Sequence, residues 1–254
     1  MSPLFRLQEY IYFTSHGQHE MISLPPFTLF FHAISASTEY NFALLDTSAS
    51  GDLQDALTRL PTPFTERQRK PCVQFIEEVF PQLTPLLRSA GWTEEARSRM
   101  MLCTPETYQY VPDMPGLAII TLTQESSLEE IREGLDTNAL GFDPHAEAAT
   151  IQQAEAFRED LVLSQAFTAR LDGQSVAAGM FTSIHDGLTE LVGITTLEPF
   201  RRRGIAAALT AYITQAAFRE GAAQVFLTAE DENAGRVYER VGFRPCATLA
   251  AYVL

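Results

Sequence analysis

A chain of 254 residues is long enough for one large domain or two small ones, and an apolar content of 46% supplies real cores, which excludes a disordered chain. A net charge of −14 excludes a nucleic-acid partner held through its phosphates, whereas an acidic body attracts amines, which are cationic at neutral pH. No run approaches the about 18 apolar residues of a membrane span, MSPLFRLQEY is no signal peptide, and the scattered Cys72, Cys103 and Cys246 suit reduced, buried thiols, so a cytoplasmic protein without a membrane partner is expected.

Residues 1 to about 114 read as a first α/β half. FTLFFHAI (Phe27–Ile34) and YNFALLD (Tyr40–Asp46) are strand-like. Asp52 to Leu60 puts Leu53, Ala56, Leu57 and Leu60 on one helical face, and Pro61 ends it. CVQFIEE (Cys72–Glu78) reads as a strand, PQLTPLLRSAG (Pro81–Gly91) as a short helix closing on glycine, and RSRMMLC (Arg97–Cys103) as another strand. His16 and His19 precede Glu20, but not in the order His-Glu-x-x-His, so exposed loop histidines are expected there and no metal site.

PETYQYVPDMPG (Pro105–Gly116) marks a linker with its prolines, and the expected domains are 1–114 and 115–254. GLAIITLT (Gly116–Thr123) is a strand. Ser127 and Glu130 have capping-box spacing before a helix whose Leu128, Ile131 and Leu135 face inward. GFDPH (Gly141–His145) breaks the chain, and a second helix covers roughly 146–159. AFTARL (Ala166–Leu171) and SVAAGMFTSI (Ser175–Ile184) form a hairpin across Asp172-Gly173.

The stretch Leu188–Glu220 organises the rest. Leu191, Val192, Ile194, Thr195 and Thr196 form a strand that Pro199 stops. Arg201, Arg202, Arg203 and Gly204 follow, and then a helix carries Ile205, Leu209, Tyr212, Ile213 and Ala216 on one face, with Gly221 past its end. The pattern places unpaired backbone N–H groups at a helix N-terminus beside three cations, which is a site for phosphate. It has no Gly-Lys-Ser/Thr and only one glycine, so it is neither a Walker loop nor a dinucleotide fingerprint.

The run Arg201-Arg202-Arg203-Gly204-Ile205-Ala206 resembles the Arg/Gln-x-x-Gly-x-Gly/Ala pyrophosphate loop of the GNAT superfamily of acyl-CoA-dependent N-acetyltransferases. VFLTAEDENAGRVYERVGF (Val225–Phe243) agrees in reading strand, acidic turn, helix, Gly242-Phe243. The family's Asn-x-x-Ala-x-x-x-Tyr-x-x-x-Gly-Phe appears as Asp231, Ala234, Tyr238, Gly242 and Phe243. The family asparagine is thus Asp231 in strict register, with Asn233 displaced by two. The resemblance implies an α/β (α+β) GNAT fold, a mixed and mostly antiparallel sheet flanked by helices, with acetyl-CoA as co-substrate.

Acyl transfer to an amine needs a base for the ammonium proton, donors for the thioester oxyanion and an acid for the leaving thiolate. The resemblance implies Glu190 as the base, with Glu230, Asp231 or a water relay as alternatives, and Tyr238 as the acid, with a packing tyrosine as the plain reading. It places the oxyanion donor among the main-chain N–H groups of Ile194, Thr195 and Thr196. The pyrophosphate falls to Gly204, Ile205, Ala206 and Ala207 with Arg201, Arg202 and Arg203, and the pantetheine arm to Asp231 and Asn233. The expected reaction is direct attack of a primary amine, a small molecule or an amino acid, on acetyl-CoA in a ternary complex. The alternative is a non-catalytic acyl-CoA-binding regulatory or scaffold protein. The sequence leaves acceptor and oligomeric state open.

The first half echoes the second. A gapless shift of 151 residues sets Phe30 on Phe181, Glu39 on Glu190, Phe75 on Phe226 and Gly91-Trp92 on Gly242-Phe243. It also sets Leu87 on Tyr238, and Ala49-Ser50-Gly51-Asp52 on the arginine loop. The half is either a degenerate GNAT-like copy or an unrelated α/β cap.

Overall fold

The structure, a computed structural model, describes residues 3–16, 19–46 and 50–254; Ala49, in the first-half loop, lies outside them. The chain runs α1 (Pro3–Ser15), β1 (His19–Leu24), β2 (Phe27–His32), β3 (Asn41–Leu45), α2 (Leu53–Arg59), α3 (Pro61–Glu66), β4 (Cys72–Ile76), α4 (Leu83–Ser89) and β5 (Thr93–Cys103). It continues with β6 (Leu117–Leu122), α5 (Leu128–Phe142), α6 (Ile151–Asp160), β7 (Gln165–Leu171), β8 (Gln174–Phe181), β9 (Leu188–Thr196), α7 (Ile205–Arg219), β10 (Gln224–Ala229), α8 (Glu232–Val241) and β11 (Arg244–Val253). Two compact units form: Met1–Met100 with Cys246–Leu254, and Met101–Pro245. The proline-rich stretch suggests a boundary at 114/115, but the units change over inside β5 and again inside β11.

In the first unit β1, β2 and β3 pair antiparallel, β3 runs parallel to β4, and β4 pairs antiparallel with β11 through Cys72↔Val253 to Ile76↔Leu249. One face buries Phe27, Leu29, Val73, Phe75 and Tyr252 under Leu57, Phe64 and Leu87 of α2, α3 and α4 and Leu60 between α2 and α3; Phe30, Phe42 and Leu44 lie in a second cluster with Ile11 and Tyr12 of α1. Neither α1 nor β1 is expected from the sequence reading. His19 opens β1 rather than lying in a loop: its Nδ1 meets the Ser15 carbonyl at 2.9 Å, and burial lowers its pKa. The helix ended by Pro61 is followed at once by α3, which takes that proline in its first turn, where a missing N–H costs nothing.

In the second unit the strand order is β6-β7-β8-β9-β10, antiparallel throughout except the parallel pair β9–β10. Asp172 and Gly173 both take positive φ, 51° and 86°, as the two-residue hairpin turn requires. Helices α7 and α8 cover one face over Phe167, Ala169, Phe181, Leu191, Val225 and Leu227. The other face lies under α5 and α6, where Leu122, Ala166 and Met180 meet Ile131, Ala154 and Phe157. The capping box of Ser127 and Glu130 forms with both bonds, and Arg170 and Ser175 tie the sheet to Glu133 of α5. Helix α6 begins at Ile151 rather than near 146, capped by a second box of Thr150 and Gln153. The first unit repeats this order in β2, β3, α2–α3, β4 and α4, including a parallel β3–β4 pair where the second unit has β9–β10.

Candidate active site

Every candidate site residue lies in the second unit. The site starts from β9, whose pairing with β8 slips by one residue: Ala178 faces Thr195, but Met180 faces Val192. The extra residue makes a β-bulge at Gly193–Ile194, and Gly193 takes a φ of +65°, which only glycine adopts at little cost. Asn138 of α5 holds this bulge by donating from Nδ2 to the Gly193 carbonyl at 2.6 Å. On its other edge β9 pairs with β10 only from Leu188↔Gln224 to Glu190↔Phe226, although β9 runs on to Thr196 and β10 to Ala229. The strands fork after Glu190. Backbone groups of Ile194, Thr195 and Thr196 therefore edge a slot rather than a neighbouring strand, the arrangement by which an extended ligand arm adds to a sheet.

Glu190 stands at the base of the fork. Val192 pairs with Met180 on the α5–α6 face, and alternate residues share a face, so Glu190 points there while Leu191 points to α7. Thr182 fixes the Glu190 main chain: its N–H donates to the Glu190 carbonyl at 3.0 Å, and its Oγ1 accepts from the Glu190 N–H at 3.3 Å. No described residue donates to the carboxylate. By area the residue is half-buried, yet enough protein surrounds the carboxyl that burial alone pushes its pKa up to about 7. Of the alternative bases, Glu230 is exposed, and Asp231 caps α8 by accepting from the Ala234 N–H at 2.7 Å.

Tyr238 lies on the opposite face, in the core shared by α7, α8 and Leu191. Its ring meets Phe243 edge-on at 6.2 Å, and its hydroxyl has no described partner. Burial, then the charges of Glu230 and Asp231, push its pKa up to about 12, so the phenol keeps its proton at neutral pH.

The turn before α7 coils through positive φ at Arg202 (60°) and Gly204 (87°). The first intrahelical bond runs from the Ala208 N–H to the Gly204 carbonyl, so the N–H groups of Ile205, Ala206 and Ala207 have no helical partner. Ser127, Thr150 and Asp231 cap α5, α6 and α8 with side chains, but Gly204 supplies none to α7. Arg202 and Arg203 are exposed beside these free N–H groups, with the Arg203 guanidinium 5.7 Å from the Phe200 ring centre. Cations there oppose the helix dipole unless an anion joins them, so the loop fits a phosphate-bearing co-substrate.

Arg201 is engaged elsewhere: Nε donates to the Thr196 carbonyl at 3.0 Å and an Nη to the Gly141 carbonyl at 2.7 Å, tying the end of β9 to the last turn of α5. Asp231 is a helix cap, a place where aspartate and asparagine serve equally, which accounts for its standing in the family's asparagine position. Asn233 is exposed in the first turn of α8. Asn138, Thr182 and Gly193 escape the sequence reading. Gly193 carried the one available signal, since an isolated glycine within a strand marks a bulge.

Residues 128–243 match the family described as Acetyltransferase (GNAT) family. A GCN5-related N-acetyltransferase from Kribbella flavida is similar over 100% of this chain and 96% of its own, at 25% identity and a TM-score of 0.83. A GCN5-related N-acetyltransferase from Sphaerobacter thermophilus covers 97% of this chain and 84% of its own, at 16% identity and a TM-score of 0.67. A tandem GNAT protein from the clavulanic acid biosynthesis pathway covers 99% and 94%, at 8% identity and a TM-score of 0.67. The last two likenesses are of fold. No curated protein matches the chain. Residues 128–243 form a domain of the acetyltransferase (GNAT) family, with the GNAT fold.

Proposed function

We propose that the second unit transfers an acetyl group from acetyl-CoA to a primary amine by direct attack in a ternary complex. The fork between β9 and β10 carries this reading: it sets an unpaired, half-buried carboxylate at the base of a slot edged by unladdered backbone. Backbone N–H groups of Gly204, Ile205, Ala206 and Ala207, with Arg202 and Arg203, hold the pyrophosphate; the slot along Ile194–Thr196 takes the pantetheine arm. Arg201 positions the loop, and Asp231 and Asn233 flank the arm.

Acetyl-CoA supplies the activated acyl group. Glu190, with a pKa near neutrality, takes the ammonium proton and leaves a nucleophilic amine. As the C–N bond forms and the C–S bond breaks, a main-chain N–H near Ile194–Thr196 meets the charge on the carbonyl oxygen. The new C–N nitrogen sheds its second proton to solvent, while Tyr238 gives its own proton to the departing sulfur and is reprotonated from solvent. An ammonium and a thioester thus give an amide, a thiol and one proton.

We further infer that the first unit is a degenerate copy that holds no co-substrate. Where the arginine loop has free N–H groups, Asp52 covers those of Gln54 and Asp55 with its own carboxylate, and Leu87 is a core residue in place of Tyr238. A cytoplasmic setting suits three free cysteines, of which Cys72 and Cys103 are buried, and burial pushes the Cys72 thiol up to about 12. Among the described residues no helix is long and apolar enough to cross a membrane.

Thiol release from acetyl-CoA across a panel of primary amines tests the reading. Amine-dependent release by the wild type, lowered about 10²–10⁴-fold by Glu190→Gln, supports it. Tight acetyl-CoA binding without amine-dependent release identifies a non-catalytic acyl-CoA-binding protein instead.

A further inference from the structure

We propose that a pocket on the α5–α6 face of the second unit seats the non-reacting part of the acceptor. It selects monoamines whose body is apolar and uncharged and carries one hydrogen-bonding group. The inference rests on the acetyl-transfer reading and names the acceptor class for it.

The pocket is a cleft partly open to solvent, with Gly134, Asn138, Phe157, Thr168, Met180 and Gly193 among its lining residues. No Asp, Glu, Lys, Arg or His lines it. A second ammonium, or the carboxylate of an amino acid, would lose its water there without gaining a counter-charge. Phe157 and Met180 offer apolar contact to an alkyl or single-ring body instead.

One group in the wall lacks a partner. Thr168 is 2% exposed, and its Oγ1 is buried without any hydrogen bond. Orphaned buried hydroxyls are uncommon, because an unmet group forfeits the hydrogen bonds it made in water. The space above this hydroxyl exists because residue 134 is glycine: a Cβ there would lie 2.9 Å from Thr168 Oγ1 and 2.7 Å from Leu122 Cδ1. The pocket therefore presents an apolar cleft with one unsatisfied hydroxyl.

Its position joins it to the reaction centre. Gly193 lies in both the pocket wall and the β9 bulge, and Met180 faces Val192, the next residue after Glu190 on that face of the sheet. An acceptor with its body against Phe157 and Thr168 extends its amine toward Gly193 and Glu190. An acyl chain longer than acetyl is the competing occupant. The pocket's lying on the same face as the proton-accepting carboxylate favours the acceptor.

The test compares kcat/KM for tyramine, 2-phenylethylamine, spermidine and alanine, in wild type, Thr168→Val and Gly134→Ala. In the wild type both arylalkyl monoamines exceed spermidine and alanine by about tenfold or more. Thr168→Val keeps the shape, removes the hydroxyl and lowers the tyramine-to-phenylethylamine ratio by about tenfold, without loss of melting temperature. Gly134→Ala lowers kcat/KM for both aryl amines while acetyl-CoA still binds. Equal or better use of spermidine or alanine, or an unchanged ratio in Thr168→Val, overturns the inference and leaves acetyl transfer standing. A change in acetyl-against-butyryl preference in Gly134→Ala, with acceptor preference unmoved, assigns the pocket to the acyl chain and equally overturns it. If no amine is turned over, acetyl transfer itself fails. Calorimetric binding of tyramine to the CoA-saturated protein then decides the pocket: binding weakened by Thr168→Val supports it, and no binding overturns it.

Discussion

Asn138 donates to the Gly193 carbonyl at 2.6 Å across 55 residues of sequence, fastening helix α5 to the bulge of β9. The bulge sets which backbone groups edge the fork, so this bond links packing to catalysis. Asn138→Ala leaves the carbonyl without its donor and costs about 1–3 kcal/mol. A loosened bulge lowers kcat by about tenfold or more, since small misplacements of reacting groups are costly. Thermal unfolding and initial rates check both. A lowered melting temperature with an unchanged rate would confine Asn138 to stability.

Glu190 couples activity and stability to pH in opposite directions. Its carboxyl ionises near 4.5 ordinarily and near 7 in the fold. Between those values the folded chain keeps a proton that the unfolded chain has released, so this group's contribution to stability falls as pH rises from about 4.5 to about 7 and stays low above. Glu190→Gln removes the penalty and stabilises the protein at pH 8 by about 1–3 kcal/mol, with no gain at pH 4. The wild type should show kcat/KM rising with pH through about 7, and the same change lowers kcat and removes that rise. Denaturation at both pH values, beside the rate profile, reads the pair of effects. A variant that loses activity without gaining stability at pH 8 would contradict a buried, unpaired carboxylate.

What the sequence made legible was local. Pro199, Gly204 and the 3.6-residue spacing from Ile205 to Ala216 define strand, turn and helix from neighbouring residues alone, and Ser127 with Glu130 announces α5 by a contact three residues long. What it concealed was non-local. Helix α1 buries Gln8, a polar residue that looks solvent-facing until its Oε1 accepts from the Ile76 N–H at 3.2 Å. Arg201, Arg202 and Arg203 look alike in sequence, and only the fold sets the Gly141 and Thr196 carbonyls before the first of them. Asn138 likewise reads as an exposed helix residue until β9 lies beside it.

Tyr238 separates chemistry from packing. Its hydroxyl has no described partner while its ring packs on Phe243, so Tyr238→Phe should leave the stability within about 0.5 kcal/mol of wild type. The variant lacks the proton for the leaving sulfur, and kcat falls by about 10²-fold. Steady-state rates with thermal melts check this. With the phenol held near 12, no alkaline loss of rate below about pH 10 should trace to Tyr238. Full activity in Tyr238→Phe would reduce the residue to a core aromatic.

Arg201 should behave unlike its two neighbours. Its guanidinium satisfies two carbonyls, one of them in the orphaned last turn of α5. Arg201→Ala therefore destabilises by about 1–3 kcal/mol, whereas Arg202→Ala and Arg203→Ala stay within about 0.5 kcal/mol. Chemical denaturation of the three variants ranks them. Equal stability of all three would remove the structural role assigned to Arg201.

Calorimetric titration with acetyl-CoA, on the wild type and on a variant joining Arg202→Glu with Arg203→Glu, decides whether the arginine loop holds the co-substrate. The wild type should show one site per chain, with affinity falling as salt rises and lost in the double variant, while the free double variant melts no lower than the wild type. No binding by the wild type, or equal binding by the variant, would contradict the assignment of the arginine loop and the uncapped N-terminus of α7 to the co-substrate's pyrophosphate.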